Sequence, residues 1–328
     1  MVRLFNNNQP YLVVALLLYT LALNAVLFLH PSGFVLQDPE APLSRWLFNL
    51  LKMDYRIIAA ISITLVFIQA LLINLLINRI KLFSRSTYVP GMAYVLAACM
   101  FREFLFLSPA MIANTFIILV IDQLFSMYKQ QYAYREVFDT GLLIGISSLI
   151  YFPSIVLLIA MFIALSLLRP FIWREWVLGF LGLLTPYFLV ITWCFWFDKL
   201  PYFIDRQFGT ALFGFNSYIP VNGEVRVVGI ILLTMIGSTF IIFQNSYLKS
   251  PIQIRKYLVL IIWLLVLLMV SFLFEYTISL AHFVIISVPL SMIIGYFLVN
   301  IRRKRIAEAV HLVLLLAILF FQYYAVSK

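Results

Sequence analysis

Two carboxylates stand close together after the first apolar run of this chain. Asp38 and Glu40 occupy alternate positions in Gln37-Asp38-Pro39-Glu40. Such a pair could act as a general base, or it could bind a divalent cation through oxygen. The other interpretation is a solvated loop with ordinary acids, because two acids at this spacing are a weak signal. Asp38 and Glu40 are therefore candidate catalytic residues, with that alternative left open.

Three further side chains could bind an anionic group. Arg102, followed by Glu103, interrupts an apolar region, and a guanidinium forms paired contacts with phosphate oxygens. Arg206 lies in a polar segment, and His282 follows a short turn, where its ring could donate to a phosphate or carboxylate. The alternatives are an Arg102 ion pair with Glu103 or a headgroup, and a histidine satisfied at the membrane interface.

The elements that must position these residues are membrane helices. The chain has 328 residues, of which 64% are hydrophobic and 11% charged. Soluble domains are roughly 45–50% apolar and about 25% charged, so the composition excludes a soluble globular enzyme. A membrane helix needs roughly 20 apolar residues. Clear candidates are residues 11–29, 57–78, 109–127, 176–197, 226–243, 257–274, 279–300 and 306–325.

Two other regions need more care. Residues 88–107 predict a short or broken span, since Arg102 and Glu103 lie near its end. Residues 137–168 would form a helix of about 50 Å, against a hydrocarbon layer of about 30 Å. Pro153 disfavours helix at the residue before it, so we divide this region at Tyr151-Phe152-Pro153-Ser154. The predicted fold class is an all-α polytopic bundle with about eleven spans, forming one integral-membrane domain over residues 1–328.

The charge pattern predicts the orientation. With the N-terminus inside, 15 of the 23 Lys and Arg residues fall on the inner side, as expected for cytoplasmic loops. The net charge of +10 is thereby explained, and without a binding motif we expect no nucleic-acid partner. Eight of the 13 acids fall outside. Residues 11–29 exceed a signal-peptide core, so we expect a retained first span.

Two outer loops are long enough to matter for function. In the first, residues 30–56, an irregular front is followed by an amphipathic helix. Its apolar stripe predicts a helix lying in the membrane interface: Leu43, Trp46, Leu47, Leu50 and Leu51. The second loop comprises residues 198–225 and contains Arg206.

Several function classes lack support. The sequence has no HExxH, GxSxG, Walker A or CxxC motif, and Cys99 and Cys194 form no disulfide framework. A transporter would need polar residues along a path through the midplane. The only hints of such a path are Asn24, Gln69, Asn74 and Asn114. Interhelical hydrogen bonds, worth about 0.6 kcal/mol each, are the preferred interpretation of those residues.

The arrangement resembles the multi-spanning glycosyltransferases of the GT-C fold, which use polyprenyl-phosphate-linked sugars. The similar features are the acidic loop Gln37-Asp38-Pro39-Glu40, the interfacial helix after it, and Ser108-Pro109 opening a span. A further similarity is the run from Gly141-x-x-x-Gly145 to Pro153, followed by an apolar segment and Arg169-Pro170. The chain also resembles an uncharacterised family of bacterial polytopic inner-membrane proteins.

The resemblance implies a function and its residues. Asp38 or Glu40 would activate an acceptor, and Arg102 and Arg206, with His282, would bind the donor phosphate. The expected reaction is sugar transfer from a polyprenyl phosphate at the periplasmic face of a bacterial inner membrane, with membrane lipids as partners. The alternatives are a non-catalytic scaffold or assembly subunit, including a GT-C-like pseudoenzyme bound to protein partners, and, less favoured, a lipid or solute transporter.

Overall fold

A computed structural model describes residues 1–7, 9–29, 41–50, 54–83, 85–128, 130–209, 251–274, 280–301 and 304–324. These residues form helices and connecting turns, without a strand among them. The α-helices are α1 Val2–Phe5, α2 Tyr11–Leu23, α3 Ala25–Leu29, α4 Pro42–Leu50, α5 Tyr55–Arg79, α6 Val89–Ala98, α7 Arg102–Leu105, α8 Pro109–Ser126, α9 Tyr134–Ile150, α10 Leu157–Leu168, α11 Trp173–Trp196, α12 Leu200–Ile204, α13 Ile252–Val270, α14 Ser287–Asn300 and α15 Lys304–Tyr324.

Tight helical turns extend several of these helices. They comprise the 3-10 turns Phe152–Val156, Ser271–Phe274 and Leu280–Ile286 and the π turn Asp205–Gly209. Five segments are long and apolar enough to cross a membrane, namely Tyr55–Arg79, Pro109–Ser126, Trp173–Trp196, Ile252–Phe274 and Leu280–Asn300. The predicted all-helical membrane bundle is confirmed at this level. The predicted span at 226–243 lies outside the described residues.

Both predicted interruptions are present. Helix α6 ends at Ala98, and α7 begins at Arg102, so 88–107 is broken. Helix α9 ends at Ile150 and α10 begins at Leu157. The Oγ of Ser154 donates to the carbonyl of Tyr151 at 2.8 Å, which satisfies a group that the broken helix leaves open. The apolar segment 137–168 is therefore not one continuous α-helix.

The core is built around α6, whose ten residues are all buried against α5 and α14. Beside it, α9 and α11 approach so closely that glycine is required. A Cβ on Gly141 would lie 2.2 Å from the carbonyl oxygen of Gly179, and one on Gly182 would lie 2.4 Å from that of Phe138. The Gly141-x-x-x-Gly145 spacing thus allows the close packing of α9 on α11.

Helix α4 forms where the sequence predicts an interfacial helix. It packs against α9 and buries Ser44 and Phe48. Trp46 and Leu50, on the predicted apolar stripe, are instead exposed at the protein surface. Exposed apolar side chains at these two positions are what a helix at the lipid interface requires, whereas Leu43 and Leu47 of the same stripe pack against the core.

Contacts between helix termini show which termini lie at the same end of the bundle. Arg79 at the close of α5 pairs with Asp122 near the close of α8, and Tyr257 near the start of α13 donates to Phe125. We call this the basic end, defined by Arg79, Lys81, Arg169, Arg174, Arg255 and Lys256. The opposite end holds the helix interruptions. We call it the broken-helix end, defined by α7 and the four turns Phe152–Val156, Asp205–Gly209, Ser271–Phe274 and Leu280–Ile286.

Candidate functional site

His282 ties three interrupted helices together at the broken-helix end. It is 1% exposed, and its Nδ1 hydrogen-bonds the hydroxyl of Tyr151. Its Nε2 lies 3.2 Å from Oγ of Ser271. Tyr151 closes α9 and Ser271 closes α13, so one imidazole links the ends of two helices to the turn before α14.

These contacts fix the tautomer of His282. The single hydroxyl proton of Ser271 is donated to the carbonyl of Leu268 at 2.7 Å. Nε2 must therefore carry a proton and donate to Ser271, which leaves Nδ1 as an acceptor for the Tyr151 hydroxyl. With a proton on Nε2, the ring donates to Ser271 and accepts from Tyr151. The predicted contact of His282 with a donor phosphate stays a prediction, and it would require one of these bonds to exchange.

Arg102 lies beside the His282 turn. It is the first residue of α7, is half-buried, and is close enough to Tyr55 to interact with it electrostatically. Helix α7 packs on the turn Leu280–Ile286, which carries His282. The hydroxyl of Tyr55 donates to the carbonyl of Leu27 and so joins the start of α5 to α3. Arg102 thus lies near the start of α5 and beside the turn that carries His282.

Arg206 lies near the same helix break as His282. It lies half-buried in the turn Asp205–Gly209, whose next residue, Gln207, donates to the carbonyl of Ser148 at 2.9 Å. The ring of Phe208 lies 5.8 Å from that of Phe152, between ring centroids. Phe152 directly follows Tyr151, so the turn bearing Arg206 and the turn bearing His282 meet the same break.

Two buried polar atoms in this region lack a hydrogen-bond partner among the described residues, as do others elsewhere in the bundle, such as Nδ2 of Asn74. The Oε1 of Gln207 and the Oγ of Ser147 are buried without a partner in this structure. Buried polar groups normally have a hydrogen-bond partner, so such atoms require an explanation, for example a bound water or ligand. Arg102, Arg206 and His282 therefore belong to neighbouring elements of one end, in a region with polar groups still to be satisfied.

The candidate catalytic acids cannot be located in the same way. Asp38 and Glu40 lie outside the described residues, as does the second loop beyond Gly209. Among the residues that are described, no group of three or more His, Cys, Asp or Glu side chains could hold a metal ion. The predicted divalent cation stays a prediction, because the acids expected to bind it are outside this set.

Sequence reasoning missed a buried ion pair at the basic end. Arg169 and Glu175 are 2% and 1% exposed, with Nη2 and Oε1 2.7 Å apart and Nε and Oε2 3.0 Å apart. The guanidinium also donates to three main-chain carbonyls: Met127, Gln130 and Gln131. We call this arrangement the Arg169 clasp. Arg169 is therefore buried within the protein and does not lie at headgroup level. A charge following directly on an apolar run, with an opposite charge six residues later, was the available signal.

Polar residues in the core connect helices, as the sequence predicts. Gln69 donates to the carbonyl of Met111 and to Thr115, both at 2.8 Å, and accepts from Tyr94 at 2.6 Å. Asn114 donates to the carbonyl of Val284 at 3.0 Å. These bonds join α5, α6, α8 and the turn before α14. The preferred interpretation of the buried amides as interhelical hydrogen bonds is confirmed.

The comparisons with known proteins identify a family whose function is unknown. No curated protein and no solved structure matches the chain. The resemblance to GT-C glycosyltransferases therefore stays a prediction, whereas the resemblance to an uncharacterised family has a counterpart. One family model, described as a family of unknown function (DUF6427), matches residues 43–328. That match covers most of the chain, α4 to α15 included, so the chain belongs to the DUF6427 family.

Proposed function

We propose that this protein is a GT-C-like membrane glycosyltransferase that works at the broken-helix end. One observation carries the proposal: α7 packs on the turn that holds His282, and this turn and the turn that holds Arg206 both contact the break after α9. Non-helical backbone at membrane depth is tolerated only when it is buried in protein or lines a water-filled cavity. Clustering several interruptions around two arginines is therefore a reason to look for chemistry there.

The proposed reaction is a substitution at the anomeric carbon of a polyprenyl-phosphate sugar. The bond from that carbon to the phosphate oxygen breaks, and a bond to the acceptor oxygen forms. The acceptor proton passes to the carboxylate of Asp38 or Glu40, and the electron pair of the broken bond leaves with polyprenyl phosphate. Arg102 and Arg206 would stabilise the negative charge that develops on that leaving group.

His282 has a different part in this proposal. Because both of its ring nitrogens are engaged by Tyr151 and Ser271, we assign it to positioning. It would hold the turn Leu280–Ile286 against the break in α9 and so keep the surface beneath Arg102 in place. A positioning role predicts that a variant changes activity through the local structure rather than through direct loss of phosphate contact.

A transfer assay tests the proposal. The protein would be purified in nanodiscs with polyprenyl-phosphate-linked sugars, and release of polyprenyl phosphate would be measured with and without EDTA. We expect Arg102→Gln and Arg206→Gln each to lower the rate about 100-fold, the usual cost of losing one transition-state charge contact. Asp38→Asn should abolish transfer while the protein remains folded. Full activity of Asp38→Asn would remove Asp38 from the mechanism.

Arg135→Gln is the matched control for the arginine variants. Its side chain is 89% exposed and pairs with Asp139 four residues along α9 at the basic end. The control should transfer at the unmodified rate. If it is as slow as Arg102→Gln and Arg206→Gln, the arginine effect is a general loss of charge and the proposed site is wrong.

The proposed location is a bacterial inner membrane, with the N-terminus in the cytoplasm and the broken-helix end in the periplasm. It is supported by the excess of Lys and Arg on the predicted inner side. Alkaline phosphatase fused after Trp196 should be active, and the same fusion after Ser126 should be inactive. The reverse pattern would invert the topology.

A scaffold function is the second candidate, and one surface favours it. Helix α11 exposes an aromatic face that includes Phe188, Trp193 and Trp196. Aromatic residues are enriched in protein interfaces, although the same face could contact lipid. Photo-crosslinking from Phe188 in native membranes discriminates between the candidates. A specific protein adduct would favour the scaffold, and lipid adducts alone would favour the enzyme.

A further inference from the structure

The basic end contains a cavity with cationic and hydrogen-bonding walls. Its volume is about 390 Å³, and it opens between the end of α5, the end of α8 and the start of α13. The polar lining consists of Arg79, Lys81, Ser126, Tyr128, Gln253 and Tyr257. We propose that this cavity binds a phosphate group, with an anionic phospholipid headgroup as the expected source.

Charge is the first argument. Arg79 and Lys81 line the cavity, and the ammonium of Lys256 lies 5.9 Å from the ring centre of Tyr128 on the same wall. Asp122 neutralises only part of this charge. Arg79 meets Asp122 through Nη2 alone, which contacts both the carboxylate at 2.5 Å and the carbonyl at 3.0 Å. Its Nε and Nη1 have no hydrogen-bond partner among the described residues, so each can donate separately to an oxygen of a phosphate.

The backbone of Lys81 is the second argument. Lys81 has φ 52°, in the left-handed region that favours glycine. Its N–H donates to the carbonyl of Asn78 at 3.3 Å, and that of Leu82 donates to Ile77 at 3.2 Å, the pattern that usually places glycine at this position. Asp198 adopts φ 53° after α11, but aspartate is common in this region, whereas lysine gains nothing from it. A strained lysine beside a cationic cavity indicates that its side chain is used.

The shape of the surroundings is the third argument. Ile80, Phe125, Pro251 and Ile254 complete the walls, so an apolar surface continues from the cationic groups. Helix α13 begins at Ile252 without an acidic residue in its first turn. Its unpaired N–H groups add a favourable field for an anion. Basic pockets between membrane helices on the cytoplasmic side are suited to phospholipid headgroups.

Lys81→Gly is a sharp test, because glycine removes the charge and also relieves the left-handed backbone. The full chain, in a neutral detergent, would be titrated with short-chain phosphatidylglycerol, phosphatidylcholine or inorganic phosphate. Binding would be followed by native mass spectrometry and by the rise in Tm that a ligand of the folded state causes. We expect phosphatidylglycerol to bind, and Lys81→Gly to bind it about fivefold more weakly, the usual effect of one surface cation.

Two further variants keep the test decisive. Lys81→Arg, which retains the charge, should bind phosphatidylglycerol like the unmodified chain. Arg135→Gln removes a cation from the same end outside the cavity, and it should also leave binding unchanged. The unliganded Lys81→Gly protein should melt no lower than the unmodified one. If it does melt lower, Lys81→Asn replaces it, since asparagine tolerates the same backbone.

The outcomes separate the sources of the phosphate. Phosphatidylglycerol binding that inorganic phosphate does not displace supports the lipid headgroup, and displacement by millimolar phosphate assigns the site to a soluble phosphate. Equal binding of phosphatidylcholine overturns the proposal, as does an effect of Lys81→Gly no larger than that of Arg135→Gln. Lys81 lies at the end opposite to Arg102 and Arg206, so the proposal stands or falls independently of glycosyl transfer.

Discussion

The Arg169 clasp at the basic end and the His282 contacts at the broken-helix end connect helices in different ways. In the clasp, one charged pair is buried, and all five guanidinium N–H bonds are used. At the broken-helix end, helices stop short and one imidazole joins their ends, beside buried polar atoms of Gln207 and Ser147 that have no partner among the described residues. The clasp uses all of its hydrogen-bonding capacity, whereas the surroundings of His282 do not. Arg79 lies at the same end as the clasp and pairs through Nη2 alone, so arginine content by itself does not locate a functional site.

Removing one partner of the Arg169 clasp should have the largest effect on stability. Arg169→Met leaves Glu175 buried without a counter-charge, and breaking a buried pair in this way costs about 3–5 kcal/mol. Thermal unfolding in detergent measures this cost. Arg169→Met combined with Glu175→Leu should recover much of it, because no charge then remains unpaired. If the single variant melts like Arg135→Gln, the contrast between the two ends is lost.

The second-largest effect on stability is expected from a steric change where α9 packs against α11. Gly141→Ala would place a Cβ 2.2 Å from a backbone oxygen of α11, so α9 must move, at a cost of about 1–3 kcal/mol. Gly295→Ala is the control, since its Cβ would lie 3.3 Å from Pro90 and needs only a small adjustment. Unfolding in denaturant compares the two. Equal stability of the two variants would show that the close approach of α9 and α11 is not required.

Changes at His282 should cost stability in the same range as Gly141→Ala, and their structural effect should be local. His282→Ala leaves the buried hydroxyl of Tyr151 without this partner, with an expected cost of about 1–3 kcal/mol. Hydrogen exchange should increase in Phe152–Val156 and Ser271–Phe274 and stay unchanged at the Arg169 clasp. Exchange that increases equally at both ends would contradict the independence of the two regions.

The smallest effect on stability is expected from a hydrogen bond in the core, between the two ends of the bundle. Tyr94→Phe removes the hydroxyl that donates to Gln69, and hydrogen bonds between membrane helices average about 0.6 kcal/mol. Thermal unfolding should therefore show a small loss. A cost as large as that of Arg169→Met would mean that the polar core, rather than the clasp, fixes the bundle.

Local signals explain what the sequence predicts well. Pro153 and the Arg102-Glu103 pair reveal where apolar segments are interrupted, since each acts on the backbone or solvation of its own neighbourhood. Ser108-Pro109 likewise opens α8, where Ser108 accepts from the N–H of Met111 at 3.2 Å. The all-helical class and these two breaks follow from such features, whereas the interruption at Asn24 between α2 and α3 was not predicted.

Long-range partners explain what the sequence cannot supply. Tyr151 lies 131 positions before His282, and nothing local pairs them. The carbonyls that accept hydrogen bonds from Arg169 lie about 40 positions earlier in the chain. Every residue has a main-chain carbonyl, so the sequence does not indicate which of them are used. Arg102 and Arg169 therefore look alike as arginines beside apolar runs, and only the tertiary structure separates a half-buried one from a fully paired one.

The Arg169 clasp also sets an order of assembly during synthesis. Helices α8 and α9 are synthesised before Arg169. The carbonyls of Met127, Gln130 and Gln131 can therefore accept hydrogen bonds from Arg169 only after α10 has been synthesised. Glu175 follows at the start of α11 and completes the pair. The connection between α8 and α9 is thus fixed only after Arg169 and Glu175 have been synthesised. A ribosome stalled before Arg169 would expose this connection to protease, and one stalled well past Glu175 would protect it.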